Sequence, residues 1–154
     1  MVERVAYAVE GWGVGELVFS DGALAWHELP RPMQPDGEVD GGCPLADRLR
    51  TYFAGVRVAF DDVPLDLTWC TAFQRAAVEA IRSITYGETA TYGEVAALAG
   101  RPNAQRALGS VCAQNRFPLF VPCHRVVAAD GLGPYGSLGS GYKRRLLELE
   151  GVVL

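Results

Sequence analysis

Hydrophobic periodicity changes once along this chain, and that change limits what it can fold into. Over the first 30 residues apolar side chains alternate with polar ones: Val5, Tyr7 and Val9, then Leu17 and Phe19, then Leu24 and Trp26. Gly11, Gly13, Gly15 and Asp21-Gly22 break the alternation. A two-residue period sends every second side chain to one face, so three short antiparallel strands are expected. From Thr71 the period is helical instead: Phe73, Ala76, Ala77, Ala80, Ile81 and Ile84 fall on one stripe. With 154 residues there is room for one ordinary domain or two small ones. The switch divides the chain into a small α/β domain over residues 1–65 and a mostly helical domain over residues 66–154.

The elements between and beyond follow from local chemistry. Residues 31–42, rich in Pro, Gly and acid, read as a loop. Residues 44–54 suit a short helix, 56–60 a further strand, and 61–67 a linker. Thr71 with Gln74, and Thr91 with Glu94, are capping boxes that open two helices. Val95 and Leu98 continue the second of these, Gly100 suits its end, and Pro102 prevents continuation. Asn103 is expected to cap a third helix carrying Ala104, Ala107, Leu108 and Val111. Two short helices across such a turn form a helix-turn-helix pattern. A last helix is expected over 142–150, after a Gly-rich loop at 130–141 and before Gly151.

Charge and cysteine usage narrow the function. The net charge is −4, but residues 1–65 carry −6 and residues 66–154 carry +2. The second half can therefore meet nucleic acid, although charge alone does not require it. The cysteines, Cys43, Cys70, Cys112 and Cys123, have no C-x-x-C spacing, and only His27 and His124 could assist them, so no metal site is expected. At most one or two of the thiols should be reactive. No apolar run reaches the roughly 18–20 residues of a membrane span, and the N-terminus has no signal-peptide pattern. A soluble protein of the cytoplasm, or of the nucleus in a eukaryote, is the expectation.

The chemistry concentrates at Cys123, set between Pro122 and His124 and followed by Arg125. A nearby cation or proton acceptor favours thiolate, the nucleophilic form. Neighbours in an extended chain point to opposite faces, so His124 should reach the sulfur only through a water or a turn. A carboxylate would then orient the imidazole, and Glu150, Glu148 and Asp130 are all available. Arg106 lies in the first turn of the second helix of the helix-turn-helix, where such motifs face nucleic acid. Tyr92 opens the first helix of that motif, and Asn115 follows its second. Tyr135 and Ser137 lie in the Gly-rich loop.

Residues 68–152 resemble the active-site domain of the O6-alkylguanine-DNA alkyltransferases, the methylated-DNA–protein-cysteine methyltransferases. The run Pro122-Cys123-His124-Arg125-Val126-Val127 is that family's signature. Thr91-Tyr92-Gly93-Glu94, Arg106-Ala107-Leu108-Gly109, Asn115 and Leu146-Leu147-Glu148-Leu149-Glu150-Gly151 follow its order and spacing. The resemblance implies an α+β fold, a small antiparallel sheet with helix followed by a winged-helix-like domain. It implies direct-reversal DNA repair: O6-alkylguanine is flipped out and its alkyl group passes irreversibly to Cys123, with no cofactor. His124 would act as base through a water, Glu150 would hold His124, and Asn115 would tie down the turn. Tyr92 would crowd the target phosphate and donate to the base, Arg106 would fill the gap in the stack, and Tyr135 and Ser137 would line the pocket. The implied partner is alkylated double-stranded DNA, met through the minor groove by a monomer away from any membrane. The chain departs from the family at Arg116, where proline is common, and in the spacing of the Gly-rich loop. Two other readings are an alkylated-base-binding protein without transfer and a helix-turn-helix regulator. Cys123 argues against the first, because relatives that only bind carry tryptophan there. A regulator would instead bind a specific undamaged sequence.

Overall fold

The computed structural model describes residues 1–32 and 42–154. Most of the loop expected at 31–42 therefore lies outside the described residues. The chain forms two compact units, Met1–Asp66 with Arg116–Pro118, and Leu67–Asn115 with Leu119–Leu154.

The first unit is built on the alternating segment. Strands β1 (Val2–Val9), β2 (Gly13–Ser20) and β3 (Ala23–Arg31) pair antiparallel in that order, with Val5 opposite Leu17 and Leu17 opposite His27. Asp21 and Gly22 both take positive φ, 49° and 84°, the conformation a two-residue hairpin turn demands. Tyr7, Val9, Leu17, Leu24 and Leu29 are buried with Ala46, Leu49, Tyr52 and Phe53 of helix α1 (Pro44–Phe53). Gly15 is required by the Tyr7 ring: a Cβ there would lie 2.6 Å from Tyr7 Cζ and 2.7 Å from the Glu28 carbonyl.

His27 draws residues 116–118 into this unit. Its backbone N–H donates to the Arg116 carbonyl at 2.9 Å. Burial lowers its pKa to about 4, against the raising effect of its bond to Pro118. The neutral ring donates from Nδ1 to the Pro118 carbonyl at 2.6 Å and accepts the Tyr7 hydroxyl proton at Nε2. Residues 56–60 form no strand, contrary to expectation. The free edge of β3 is met instead by Leu65, in the segment read as a linker. Leu24 donates to the Pro64 carbonyl and Asp66 donates to the Leu24 carbonyl.

The second unit follows the helical segment. Helix α2 (Ala72–Arg82) opens on the Thr71–Gln74 capping box and buries Ala77, Val78, Ala80 and Ile81. Strand β4 (Ala90–Thr91) pairs in parallel with β5 (Val126–Val127). Helix α3 (Tyr92–Leu98) opens on the Thr91–Glu94 box and ends at Gly100, φ 86°. Helix α4 (Gln105–Ala113) is anchored by Leu108, its one fully buried side chain. Asn103 does not cap it. Asn103 sits at φ 72°, which the turn requires and Asn tolerates, and Ala104 precedes the helix without a side-chain cap.

Helix α5 (Gly139–Leu149) starts three residues before the expected position, because burial of Lys143, Leu146 and Leu147 outweighs its Gly-rich first turn. It ends in a Schellman turn: Gly151, φ 86°, donates to the Glu148 carbonyl and Val152 donates to the Leu147 carbonyl. That turn fixes Glu150 at the helix terminus. Among the described residues no helix is long and apolar enough to cross a membrane, and no group of three or more His, Cys, Asp or Glu could hold a metal ion.

Candidate active site

The chain reaches Cys123 through a tight turn. Pro122, with φ −79° and ψ 64°, is the centre of an inverse γ-turn in which the Cys123 N–H donates to the Val121 carbonyl at 2.7 Å. The Asn115 Nδ2 donates to the same carbonyl at 2.8 Å. Asn115 therefore fixes the turn. Residues Cys123–Arg125 continue as one turn of 3-10 helix, closed by Arg125 N–H donating to the Pro122 carbonyl. The cyclic proline ring presets φ for this reversal. The turn also replaces the extended geometry that would separate Cys123 from His124.

Glu150 organises what lies behind the turn. His124 Nε2 donates to Glu150 Oε2 at 2.7 Å, with both side chains fully buried. Of the three carboxylates that spacing left open, it is Glu150 that meets the imidazole. Arg125 donates from Nε to Oε1 at 2.9 Å and from Nη2 to Oε2 at 3.0 Å, and its Nη1 donates to the Ile84 carbonyl. The Gly87 N–H donates to Oε1 at 3.0 Å. A carboxylate at a helix C-terminus opposes the helix dipole, so this one needs such partners. Burial pushes its pKa upward, but the bonds and charges of His124 and Arg125 overcome burial and hold it well below the usual carboxylate range. Glu150 is an anion.

The tautomer of His124 follows. An ionised carboxylate only accepts, so Nε2 carries the proton. Burial lowers the ring's pKa, aided by Arg125 and Lys143 and opposed by Glu150, so the ring is neutral. Nδ1 is then a bare lone pair. It is buried, and it has no hydrogen-bond partner among the described residues. An oriented neutral imidazole with one free nitrogen is a general base.

Cys123 is 3% exposed. The Cys112 thiol, near the end of α4, and burial push Cys123 well above the ordinary thiol value, while Lys143 and Asn115 pull it down. The same interaction lowers Cys112. Cys123 is thus a thiol at rest, not the thiolate its sequence neighbours suggest, and it needs a base to become a nucleophile. Lys143 is wholly buried, donating to the Val126 carbonyl at 2.6 Å and lying 5.7 Å from the Tyr92 ring centre. Burial, then the nearby charges of Cys112 and Cys123, push the Tyr92 phenol up to about 12, so it keeps its proton and remains a donor.

The other candidates are placed less centrally. Arg106 is exposed in the first turn of α4. The Tyr135 hydroxyl is buried without a hydrogen-bond partner among the described residues, and burial with the Cys123 charge raises its pKa well above normal. Ser137 is exposed in the tight turn after Tyr135. Sequence reasoning missed the parts played by Arg125, Lys143 and Cys112. Arg125 lay inside the signature run and could have been weighed as the partner of a buried acid. Lys143 and Cys112 gave no local signal.

Residues 72–152 match the family described as 6-O-methylguanine DNA methyltransferase, DNA binding domain, just over half of the chain. The methylated-DNA–protein-cysteine methyltransferase of Methanothermobacter thermautotrophicus is 43% identical over 110 residues, 71% of this chain and 61% of that protein. The chain thus spans about three fifths of that relative. The protein of the same name from Methanopyrus kandleri is 47% identical over 105 residues, 68% of this chain and 77% of its own length. Among solved structures, the OGT of Mycobacterium tuberculosis in complex with DNA is similar with a TM-score of 0.80 at 35% identity, covering 96% of this chain and 92% of that one. The chain belongs to the methylated-DNA–protein-cysteine methyltransferase family.

Proposed function

We propose that this protein repairs DNA by taking the alkyl group of O6-alkylguanine onto Cys123, once per molecule. One observation carries the reading: a cysteine held in a rigid turn beside a neutral, carboxylate-oriented imidazole that has one bare nitrogen. The thiol proton passes through a water to His124 Nδ1. The Cys123 sulfur then attacks the alkyl carbon, an S–C bond forms, and the C–O6 bond breaks with its electron pair leaving on guanine. Tyr92 donates a hydrogen bond to the departing base as its charge grows. Lys143, beside the Tyr92 ring and the two thiols, supplies positive charge that favours both thiolate and phenol donor. The product is a thioether, which offers water no carbonyl to attack, so Cys123 is not regenerated.

A base inside a duplex cannot be reached, and its extrusion costs a few kcal/mol. Arg106 is the side chain that offsets this by entering the stack from the exposed start of α4. Approach from the minor groove by a monomer completes the reading, with Tyr135 and Ser137 lining the pocket. Residues 1–65 support the alkyl-acceptor domain of residues 66–154. The test is intact mass after mixing with O6-methylguanine DNA. One methyl should replace one hydrogen, on the peptide containing Cys123, and Cys123→Ala should abolish the gain. Salt-dependent binding without any mass gain would instead indicate a binding protein.

A further inference from the structure

Of the two histidines, the proposed reaction uses only His124. His27 lies on β3 and is buried. It holds a segment far along the chain. After Asn115 the chain leaves the second unit, gives residues 116–118 to the first, and returns at Leu119. His27 fastens both ends of that stretch: its N–H donates to the Arg116 carbonyl at 2.9 Å, and its Nδ1 donates to the Pro118 carbonyl at 2.6 Å. Pro118 has no N–H with which to return a backbone bond, so the imidazole supplies the second link. Tyr7 donates its hydroxyl proton to Nε2, which keeps the ring proton on Nδ1.

The held segment runs straight into the acceptor turn. Leu119, the next residue, is buried at φ 73°, a left-handed conformation that a non-glycine residue keeps only under constraint. The Pro118 carbonyl belongs to the planar peptide unit that precedes Leu119, and rotation of that plane is what φ of Leu119 measures. The bond from His27 Nδ1 therefore acts directly on the strained torsion. Soon after, the Val121 carbonyl accepts both Asn115 Nδ2 at 2.8 Å and the Cys123 N–H at 2.7 Å. Asn115 and Val121 thus close a short loop. Its middle is held by His27, and its base is the turn that presents Cys123.

We propose that His27 is a positioning residue for alkyl transfer: by holding the Pro118–Leu119 peptide plane it keeps Leu119 left-handed and the Val121 carbonyl within reach of both Asn115 and the Cys123 N–H. The proposal rests on the reading of Cys123 as alkyl acceptor for its effect on rate, though not for its effect on the turn. Without the bond to Pro118 the peptide plane is free to rotate, Leu119 relaxes toward negative φ, and the turn loses its fixed acceptor. Cys123 then leaves its alignment with the water that carries its proton to His124. A displacement of about 1 Å at a reacting atom can cost roughly a hundredfold in rate. The first unit thereby takes part in the chemistry, although it carries none of the reacting groups.

The experiment compares two full-length variants that each keep one half of the His27 side-chain contacts. Asn places its amide NH2 near the position of Nδ1, so His27→Asn keeps the donor to Pro118 and forfeits the bond from Tyr7. Gln places its amide near Nε2, so His27→Gln can accept from Tyr7 and leaves the Pro118 carbonyl unpaired. A merely structural histidine predicts equal damage from the two. At saturating O6-methylguanine DNA, His27→Asn should transfer within about threefold of the wild type and His27→Gln roughly 10- to 100-fold more slowly, with DNA affinity unchanged in both. Amide hydrogen exchange followed by NMR should show the Cys123 N–H exposed in His27→Gln and protected in His27→Asn. Equal transfer rates in the two variants, or a Cys123 N–H as protected in His27→Gln as in the wild type, overturns the proposal. Should either variant fail to fold, exchange in the wild type under mild urea decides. Every opening that frees the His27 N–H must also free that of Cys123, and a Cys123 amide still protected after the His27 amide has exchanged is equally decisive. If the wild type takes up no methyl at all, the repair reading fails, while the exchange results still judge the turn.

Discussion

Replacing Glu150 by Gln keeps its shape and removes its charge, and the consequence can be worked from the contacts. Oε2 faces the donors His124 Nε2 and Arg125 Nη2, while Oε1 faces the donors Arg125 Nε and Gly87 N–H. An amide has one oxygen and one NH2. Whichever way it turns, the NH2 opposes two donors and two charge-assisted bonds are lost. Arg125 is left as a buried cation without its anion. Breaking such a pair from one side costs about 3–5 kcal/mol. That is a large share of the roughly 5–15 kcal/mol that holds a domain folded. At about 2–4 °C per kcal/mol for a chain of this size, the melting temperature should fall by roughly 6–20 °C. Below that melting point the alkyl-transfer rate should also fall at least about tenfold, because nothing then holds the His124 proton on Nε2. Thermal unfolding by circular dichroism and single-turnover transfer to protein read the two effects. If the variant melts within about 2 °C of wild type and transfers as fast, Glu150 does not organise this site.

The remaining predictions concern pH and packing. The lowered pKa of His124 means that the folded state resists protonation there. The stability it contributes is present above its ordinary value of 6.5 and is lost as pH falls below it, and the transfer rate should fall on the same side. Glu150 acts in the same direction, with its contribution lost as pH drops below its ordinary 4.5, so a denaturation series from about pH 8 to about pH 3 should show stability level down to about 6.5 and falling below it, with a further loss below about 4.5. Tyr92→Phe removes a single donor and should slow transfer about 10²-fold with little change in melting temperature. Leu108→Ala empties the one buried anchor of α4 and should cost about 2–5 kcal/mol in urea unfolding. Gly15→Ala drives a methyl into the Tyr7 ring and should cost about 1–3 kcal/mol; an unchanged midpoint would show that the strands give way freely.

What the sequence disclosed depended on range. The hairpin at Asp21-Gly22 and the capping boxes at Thr71 and Thr91 are set by residues within three positions, and they form as expected. Asn103 misled because the same side chain suits both a cap and a left-handed turn, and backbone direction, not side-chain preference, decided between them. The strand expected at 56–60 does not form, so β3 takes its edge partner elsewhere. The pairing falls to Leu65, a choice made by chain length and packing that no local pattern encodes. At the candidate site, spacing alone could not choose among Glu148, Glu150 and Asp130. The choice depends on where α5 ends, and its Schellman turn ends it with Glu150 facing the 3-10 turn. Lys143 gave no local signal, because the carbonyls it meets lie nine and 17 positions away in sequence.

The bare nitrogen of His124 has an evolutionary corollary. Holding Nδ1 inside the fold with no protein donor among the described residues forgoes a hydrogen bond worth about 0.5–1.5 kcal/mol in every folded copy, whether or not that copy ever meets a lesion. A laboratory selection that scored only thermal endurance would therefore discard the imidazole early, in favour of a side chain that fills the same space without the penalty. A hardier protein, unable to prime its sulfur, would be the outcome.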